Sequence, residues 1–217
     1  MIIAVAGAVG GMGRTMTALG LASAAAAEAH DTVLVDGDPR NHDAAAAARS
    51  VTALAEMLGR TPPLRVLPLD WEETVRWARG ESRSGQVSIL DLSSVNQEAV
   101  LAVAQAVVVP VPESDRKVLS SLFPTRFQMV AAENGAPCFA LVHSVSPRVG
   151  VLDDEVPDNH VQMLRARIPY SKRIRQIFGT GSPWDSDWAL FAKMFAPAWA
   201  ELRERLSLPG PAGAGSA

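Results

Sequence analysis

Short apolar runs rich in valine, isoleucine and leucine alternate along the chain with longer stretches whose apolar residues recur at helical spacing. Residues 2–6, 32–36, 64–67 and 87–91 read as strands. The run "AVVVPVPES" reads as a buried strand stopped by Pro110 and Pro112. "APCFALVHSV" is another, and residues 163–168 form the last before Pro169. Helical patterns occupy 15–29, 51–58, 71–79, 95–104, 116–134 and 188–206, with Pro124 set to kink or split the fifth. Near-continuously apolar strands separated by helices predict an α/β fold, a doubly wound, mostly parallel sheet with helices on both faces and right-handed crossovers. Ligands of such sheets bind at the carboxyl ends of the strands. Three predicted strands end there in polar signals: glycines after Ala6, the pair Asp36 and Asp38, and Asp91.

The glycines carry the first chemical hint. In "MIIAVAGAVGGMGRTMTALGLA", Gly10, Gly11 and Gly13 lie between an apolar strand and an alanine-rich helix. Glycine lets backbone N–H groups approach phosphate oxygens closely, and the following helix adds its N-terminal dipole. Thr15 offers a hydroxyl for Mg²⁺. Arg14 keeps a positive charge where such loops carry lysine, but its planar guanidinium is not an equivalent group. By itself "GGMGRT" is a weak signal. Asp36 and Asp38 equally suit a turn before Pro39, and Asp91 equally suits the cap of the following helix. His143 alone reads as a structural histidine, and His30 and His42 as surface or loop residues. No spacing of His, Cys, Asp and Glu resembles a zinc site.

Composition narrows the class. The 217 residues suffice for one domain with a sizeable core, expected over 1–208, and the Gly/Pro/Ala-rich stretch 209–217 reads as a disordered tail. A net charge of −3 leaves no global basic field for nucleic acid. The densest basic stretch is local: Arg165, Arg167, Lys172, Arg173 and Arg175, which reads as a solvated face or as a site for non-specific DNA phosphate contacts. The acidic residues of 153–159 precede it. Cys138 is the single cysteine, so disulfides and cysteine–zinc clusters are out, and it reads as a small buried hydrophobe. The N-terminus reads as a strand and not as a signal peptide, and no apolar run approaches the ~20 residues that span a bilayer. The cytoplasm is the expected location, with no membrane partner.

Over nearly the whole chain, order and spacing of these motifs resemble the ParA/MinD family of deviant-Walker P-loop ATPases, and the compact size is similar to its small plasmid-partition members. That family carries K-G-G-x-G-K-[ST] and then T-T-x-A-x-N-L-A; this chain reads "VGGMGRTMTALGLA". The family's D-x-D-P-Q matches "VLVDGDPR", and its strand–helix–strand ending P-V-x-P matches "SILDLSSVNQEAVLAVAQAVVVPVPES". The segment "RIPYSKRIRQIFGTGSPW" resembles the family's late strand, proline and basic stretch. The resemblance implies that Gly10, Gly11, Met12, Gly13, Arg14, Thr15 and Met16 hold the phosphates of ATP or ADP. It implies that Thr15, Asp36 and Asp91 serve Mg²⁺, Asp91 through water, and that Asp38 orients the attacking water. It also implies a homodimer, a ParB-like adaptor, and DNA binding with nucleoid association through the basic stretch.

Departures from the family weaken the chemistry. Val9 stands at the signature lysine, Arg14 at the loop lysine, and Leu92, Ser93 and Ser94 at the T-P-P after the Walker-B aspartate. His143 lies near the asparagine that recognises adenine in the family. A cation missing ~4 Å from a phosphate forfeits on the order of 4 kcal/mol at an effective dielectric of about 20. Half of that costs over tenfold in affinity, at about 1.4 kcal/mol per decade. The expected function is a nucleotide-responsive, dimerising partition or positioning switch with weak or absent ATP hydrolysis. The alternative is a pseudo-ATPase scaffold that works by protein–protein binding.

Overall fold

The computed structural model describes residues 1–7, 13–37, 64–81, 85–92, 97–113, 133–144, 161–173 and 185–208, without the side chains of 185–188. The predicted helices at 51–58 and over most of 116–134, and the tail 209–217, lie outside these residues. Seven strands are described: β1 (Ile2–Val5), β2 (Thr32–Gly37), β3 (Arg65–Pro68), β4 (Val87–Leu92), β5 (Ala106–Pro112), β6 (Cys138–His143) and β7 (Val161–Ile168). They form one parallel sheet in the order β3-β2-β4-β1-β5-β6-β7. The chain leaves β1 toward β2 but leaves β4 toward β5 on the opposite side. Such a reversal opens a crevice at the carboxyl ends of the central strands.

Helices cover both faces, as the apolar pattern predicts. Alternation along each strand sorts the side chains. Ile3, Val5, Leu34, Ile89, Phe139 and Leu141 pack under α1 (Arg14–Ala27) and the closing helix α4 (Asp185–Arg205). Ile2, Ala4, Val33, Val35 and Leu90 face the other way, toward Trp77, Val100 and Leu101. Those three residues come from the segment of α2 (Trp71–Arg76), continued by a π-turn (Trp77–Glu81), and from α3 (Glu98–Leu101). Helix α2 starts with a capping box in which Asp70 and Glu73 each accept the other's backbone N–H. Cys138 is buried, as expected.

The sheet corrects one expectation. Pro110 does not stop β5, which runs on to Pro112. The N–H groups of Val107 and Glu113 point to β6, so the odd-numbered residues of β5 face that neighbour and the two prolines face β1. Pairing with β1 ends at Val108, which accepts from Ala6. The prolines therefore lack a donor only where no strand remains to receive one. His30 lies in the loop after α1, as expected, and packs its ring edge-on against Trp199 of α4. Glu28 beside it accepts from Trp199 Nε1 at 3.1 Å and from Arg203 at 2.8 Å, a clasp between the end of α1 and α4. Asp91 belongs to β4, and among the described residues the next helix starts at Glu98.

Edge strand β7 carries a bulge: Ala140 faces Met163, but Val142 faces Arg167. The N–H groups of Arg165 and Ala166, freed by the bulge, donate to the two carboxylate oxygens of Glu201 on α4, at 3.0 and 2.9 Å. Arg205 holds the same carboxylate. Burial alone would raise the Glu201 pKa, but the two backbone donors and Arg205 outweigh it and lower the value. Among the described residues, no helix is long and apolar enough to cross a membrane.

Two predictions follow from this packing. Gly20 of α1 lies under the buried Phe195 ring, and a Cβ there would overlap ring carbons. Gly20→Ala gains about 1 kcal/mol of helix propensity but overpacks a closed contact, which costs about 1–3 kcal/mol. A lower melting temperature is expected; an unchanged or higher one would refute the contact. Glu201 has a lowered folded pKa, so its contribution is present above the ordinary carboxylate range and lost as pH falls through the lowered value. Urea titrations at pH 7 and pH 4 should show a larger stability drop for the natural protein than for Glu201→Gln.

Candidate functional site

β1 delivers the chain to Gly7, whose carbonyl accepts from Gln97 Nε2 at 3.3 Å and Arg14 Nη1 at 3.4 Å. The chain re-enters the described residues at Gly13, the N-cap of α1, with φ 83° and ψ 26°. That left-handed conformation is one that glycine adopts without strain. Gly13 has no side chain to cap this end, and the first turn holds no acidic residue but begins with Arg14. By itself this arrangement disfavours the helix, because its partial positive charge meets a cation and no anion. It is the electrostatic arrangement of an end that receives an oxyanion from outside. Thr15 and Met16 stand in the same turn, half-buried, and Met16 also packs on the core.

Two carboxylates lie beside this end. Asp36 and Asp91 are in-register neighbours on β2 and β4, and Val5 of β1 lies opposite Asp91. Both are buried, at 0 % and 2 % exposure. Alternation from Leu34 and Ile89 places both on the face that α1 covers. Helix α2 presses on the end of β2: a Cβ on Gly37 would lie 3.0 Å from Thr74 Oγ1. Among the described residues no group of three or more His, Cys, Asp and Glu could hold a metal by itself. A Mg²⁺ held by one or two carboxylates, water and a phosphate needs no such group, so the pair fits that ion.

His143 ends β6 next to the same turn. It is 4 % exposed. Its Nε2 lies 3.0 Å from Thr17 Oγ1, which itself lies 2.8 Å from the Gly13 carbonyl. A carbonyl can only accept, so the Thr17 hydroxyl proton goes to Gly13, and Nε2–H donates to Thr17. Nδ1 is then a bare acceptor, and among the described residues it has no hydrogen-bond partner. It sits 3.8 Å from where a Cβ on Gly13 would be. Burial lowers the His143 pKa to about 3, so the ring is neutral.

The remaining sequence candidates divide. Gly10, Gly11, Met12, Asp38 and Arg175 lie outside the described residues, as do Val9 and His42. Gly13, Arg14, Thr15, Met16, Asp36 and Asp91 are brought to one end of the sheet. Arg165, Arg167, Lys172 and Arg173 are exposed, on or just after the edge strand β7. Arg167 lies 3.8 Å from the buried carboxylate of Glu113, so part of this basic face is internally balanced. Sequence reasoning missed Thr17, Gln97 and Thr74. Thr17 falls four residues after Gly13, the helical spacing for a hydroxyl–carbonyl bond. Nothing in the sequence signalled the other two.

No family model matches the sequence, and no curated protein matches it. Solved structures do. The septum site-determining protein MinD of Pyrococcus horikoshii, complexed with Mg-ADP, superposes with a TM-score of 0.67 at 16 % identity, covering 94 % of this chain and 96 % of that one. The apo McdA of Cyanothece gives 0.64 at 15 % identity, covering 94 % and 98 %. A putative plasmid partition protein of Borrelia burgdorferi bound to AMPPNP gives 0.56 at 13 % identity, covering 89 % and 97 %. At these identities the likeness establishes a shared α/β fold.

His143 gives a pH prediction. Its folded pKa of about 3 lies below the ordinary 6.5, so the unfolded chain binds the extra proton first. Stability should fall as pH drops from 6.5 toward 3, by up to about 1.4 kcal/mol per pH unit from this residue. Denaturant titrations should show that component missing in His143→Gln.

Proposed function

We propose that the chain is a ParA-like positioning protein. It is a nucleotide-responsive, dimerising switch that holds ATP or ADP with Mg²⁺, contacts DNA non-specifically and meets a ParB-like adaptor. The reading starts from the fold shared with MinD, McdA and the partition protein. One observation carries it: the uncapped, electropositive start of α1 beside the in-register buried pair Asp36 and Asp91. The Mg-ADP and AMPPNP complexes of two structures with this fold support the choice of ligand.

Roles follow from chemistry. The backbone of Gly10, Gly11, Met12 and Gly13 and the N–H groups of the first α1 turn receive phosphate oxygens, and the turn includes Thr15 and Met16. Thr15 and Asp36 serve Mg²⁺, with Asp91 acting through water. Asp38 orients the attacking water. When bound, the Mg²⁺-nucleotide supplies the phosphoryl group and neutralises part of its charge. Val9 brings no charge, and the Arg14 guanidinium is turned back toward the Gly7 carbonyl. The chain therefore stabilises the transition state poorly, and hydrolysis is weak or absent. Arg165, Arg167, Lys172, Arg173 and Arg175 make the DNA contacts. The protein works in the cytoplasm, at the nucleoid. The same Arg14 contact favours a second reading, a pseudo-ATPase scaffold whose fold serves a constant protein partner.

Calorimetric titration of ATP·Mg²⁺ and ADP separates the two. Micromolar binding by the natural protein is expected, tightened roughly tenfold or more in Val9→Lys, Arg14→Lys. Binding by the double variant alone would favour the scaffold. DNA retention should weaken steeply with salt, and further in Arg165→Glu, Lys172→Glu. A protein that stays monomeric and ignores DNA with every nucleotide would end the switch reading.

A further inference from the structure

The start of α1 has one feature that an oxyanion alone does not explain. The His143 Nδ1 is buried, has no partner among the described residues and lies beside the N-cap glycine. In the neutral ring it presents a lone pair. An anion at the α1 N-terminus presents lone pairs too, so the two repel unless a proton lies between them. The rest of the ring is already arranged for that proton. Thr17 accepts from Nε2–H whether the ring is neutral or cationic, because its own hydrogen goes to the Gly13 carbonyl. Protonation at Nδ1 thus requires no rearrangement of Thr17, α1 or β6.

We propose that His143 is a titratable cation of this site: an oxyanion that enters the start of α1 binds together with one proton, taken up at Nδ1, which then donates to it. The proposal rests on the reading that this turn receives an anion. It gives the site a positive charge where no lysine supplies one, and only when the ligand is present.

The surroundings of the ring are consistent with this. From α1 it is faced by Gly13, Met16 and Thr17, and from α4 by Phe195, whose ring centroid is 5.9 Å away. Its in-register neighbours are Pro112 on β5 and Ile168 on β7. Glu113 and Arg167, the nearest charges on those strands, are one residue out of phase with these neighbours and pair with each other. Strand alternation puts them on the opposite face of the sheet. Among the described residues, Arg14 is the charged group in the first turn of α1, and Asp36 and Asp91 are the carboxylates at the ends of β2 and β4. The free ring, its pKa lowered by burial to about 3, is neutral at working pH. An anion beside it raises that value. Affinity therefore rises as pH falls through the bound-state value and levels off below the free one.

The test uses the full chain and sulfate, which does not itself titrate between pH 5.5 and 7.5. Calorimetry in buffers of different ionisation enthalpy counts the protons taken up. Net uptake is expected for the natural protein at pH 5.5 to 6. Its sulfate affinity should gain about tenfold between pH 7.5 and 5.5 relative to His143→Gln. If His143→Gln does not fold, the imidazole ¹⁵N spectrum of the natural protein reads the same event. Nδ1 must change from unprotonated to protonated as sulfate saturates at pH 6. Sulfate or ATP·Mg²⁺ binding with no proton uptake, or with the same uptake in His143→Gln, would overturn the inference and leave the anion site standing. No binding of either at any pH would remove the site itself.

Discussion

Contact between Gly20 and Phe195 sets how closely α1 can lie against α4, and much of the molecule depends on it. Gly13, Thr17 and Gly20 are spaced to fall on one face of α1. That face meets His143 at one end and the Phe195 ring at the other. The core therefore runs without a break into the candidate site. A side chain that lifted α1 off α4 would also draw Thr17 away from His143. Glycine at 20 costs helix propensity locally, yet it is what allows the helix start to be held rigidly. Sites held by packed elements keep their geometry better than sites held by loops alone.

Charge is distributed with similar economy around the strand ends. A helix that begins with arginine and has no acidic first turn is electropositive by construction. Two buried carboxylates lie across the crevice on neighbouring strands, and a buried imidazole closes the third side without charge. Placing opposite signs on different elements gives an incoming magnesium–phosphate group complementary surfaces on both sides.

Much of this was legible in the sequence because the fold is written in apolar runs. All seven strands stand where such runs predict them, and the polar residues that end three of them mark the crevice. Helix α1 was legible for the same reason, down to its glycine start. The finer errors have physical origins. Pro110 signals a strand end, and it does mark the end of pairing, but with β1 and not with β6. His30 reads as a loop residue because its position is a loop; only the fold brings Trp199 over it. His143 could be read as structural or functional, and a single orphaned nitrogen separates the two. Contacts such as Gln97 with Gly7 span ninety residues and leave no periodic trace.

The bulge in β7 and the Glu201 carboxylate beneath it have a consequence for assembly. A free sheet edge is a template onto which another chain can add a strand, the usual start of uncontrolled aggregation. Here two backbone donors of the bulged strand are already claimed by a side chain of the same molecule, and the strand is bent out of register just there. A bent strand with backbone donors already used is a poor template for such growth. Any second copy of the chain is thereby steered away from this edge, toward faces where side chains and not exposed backbone decide what fits.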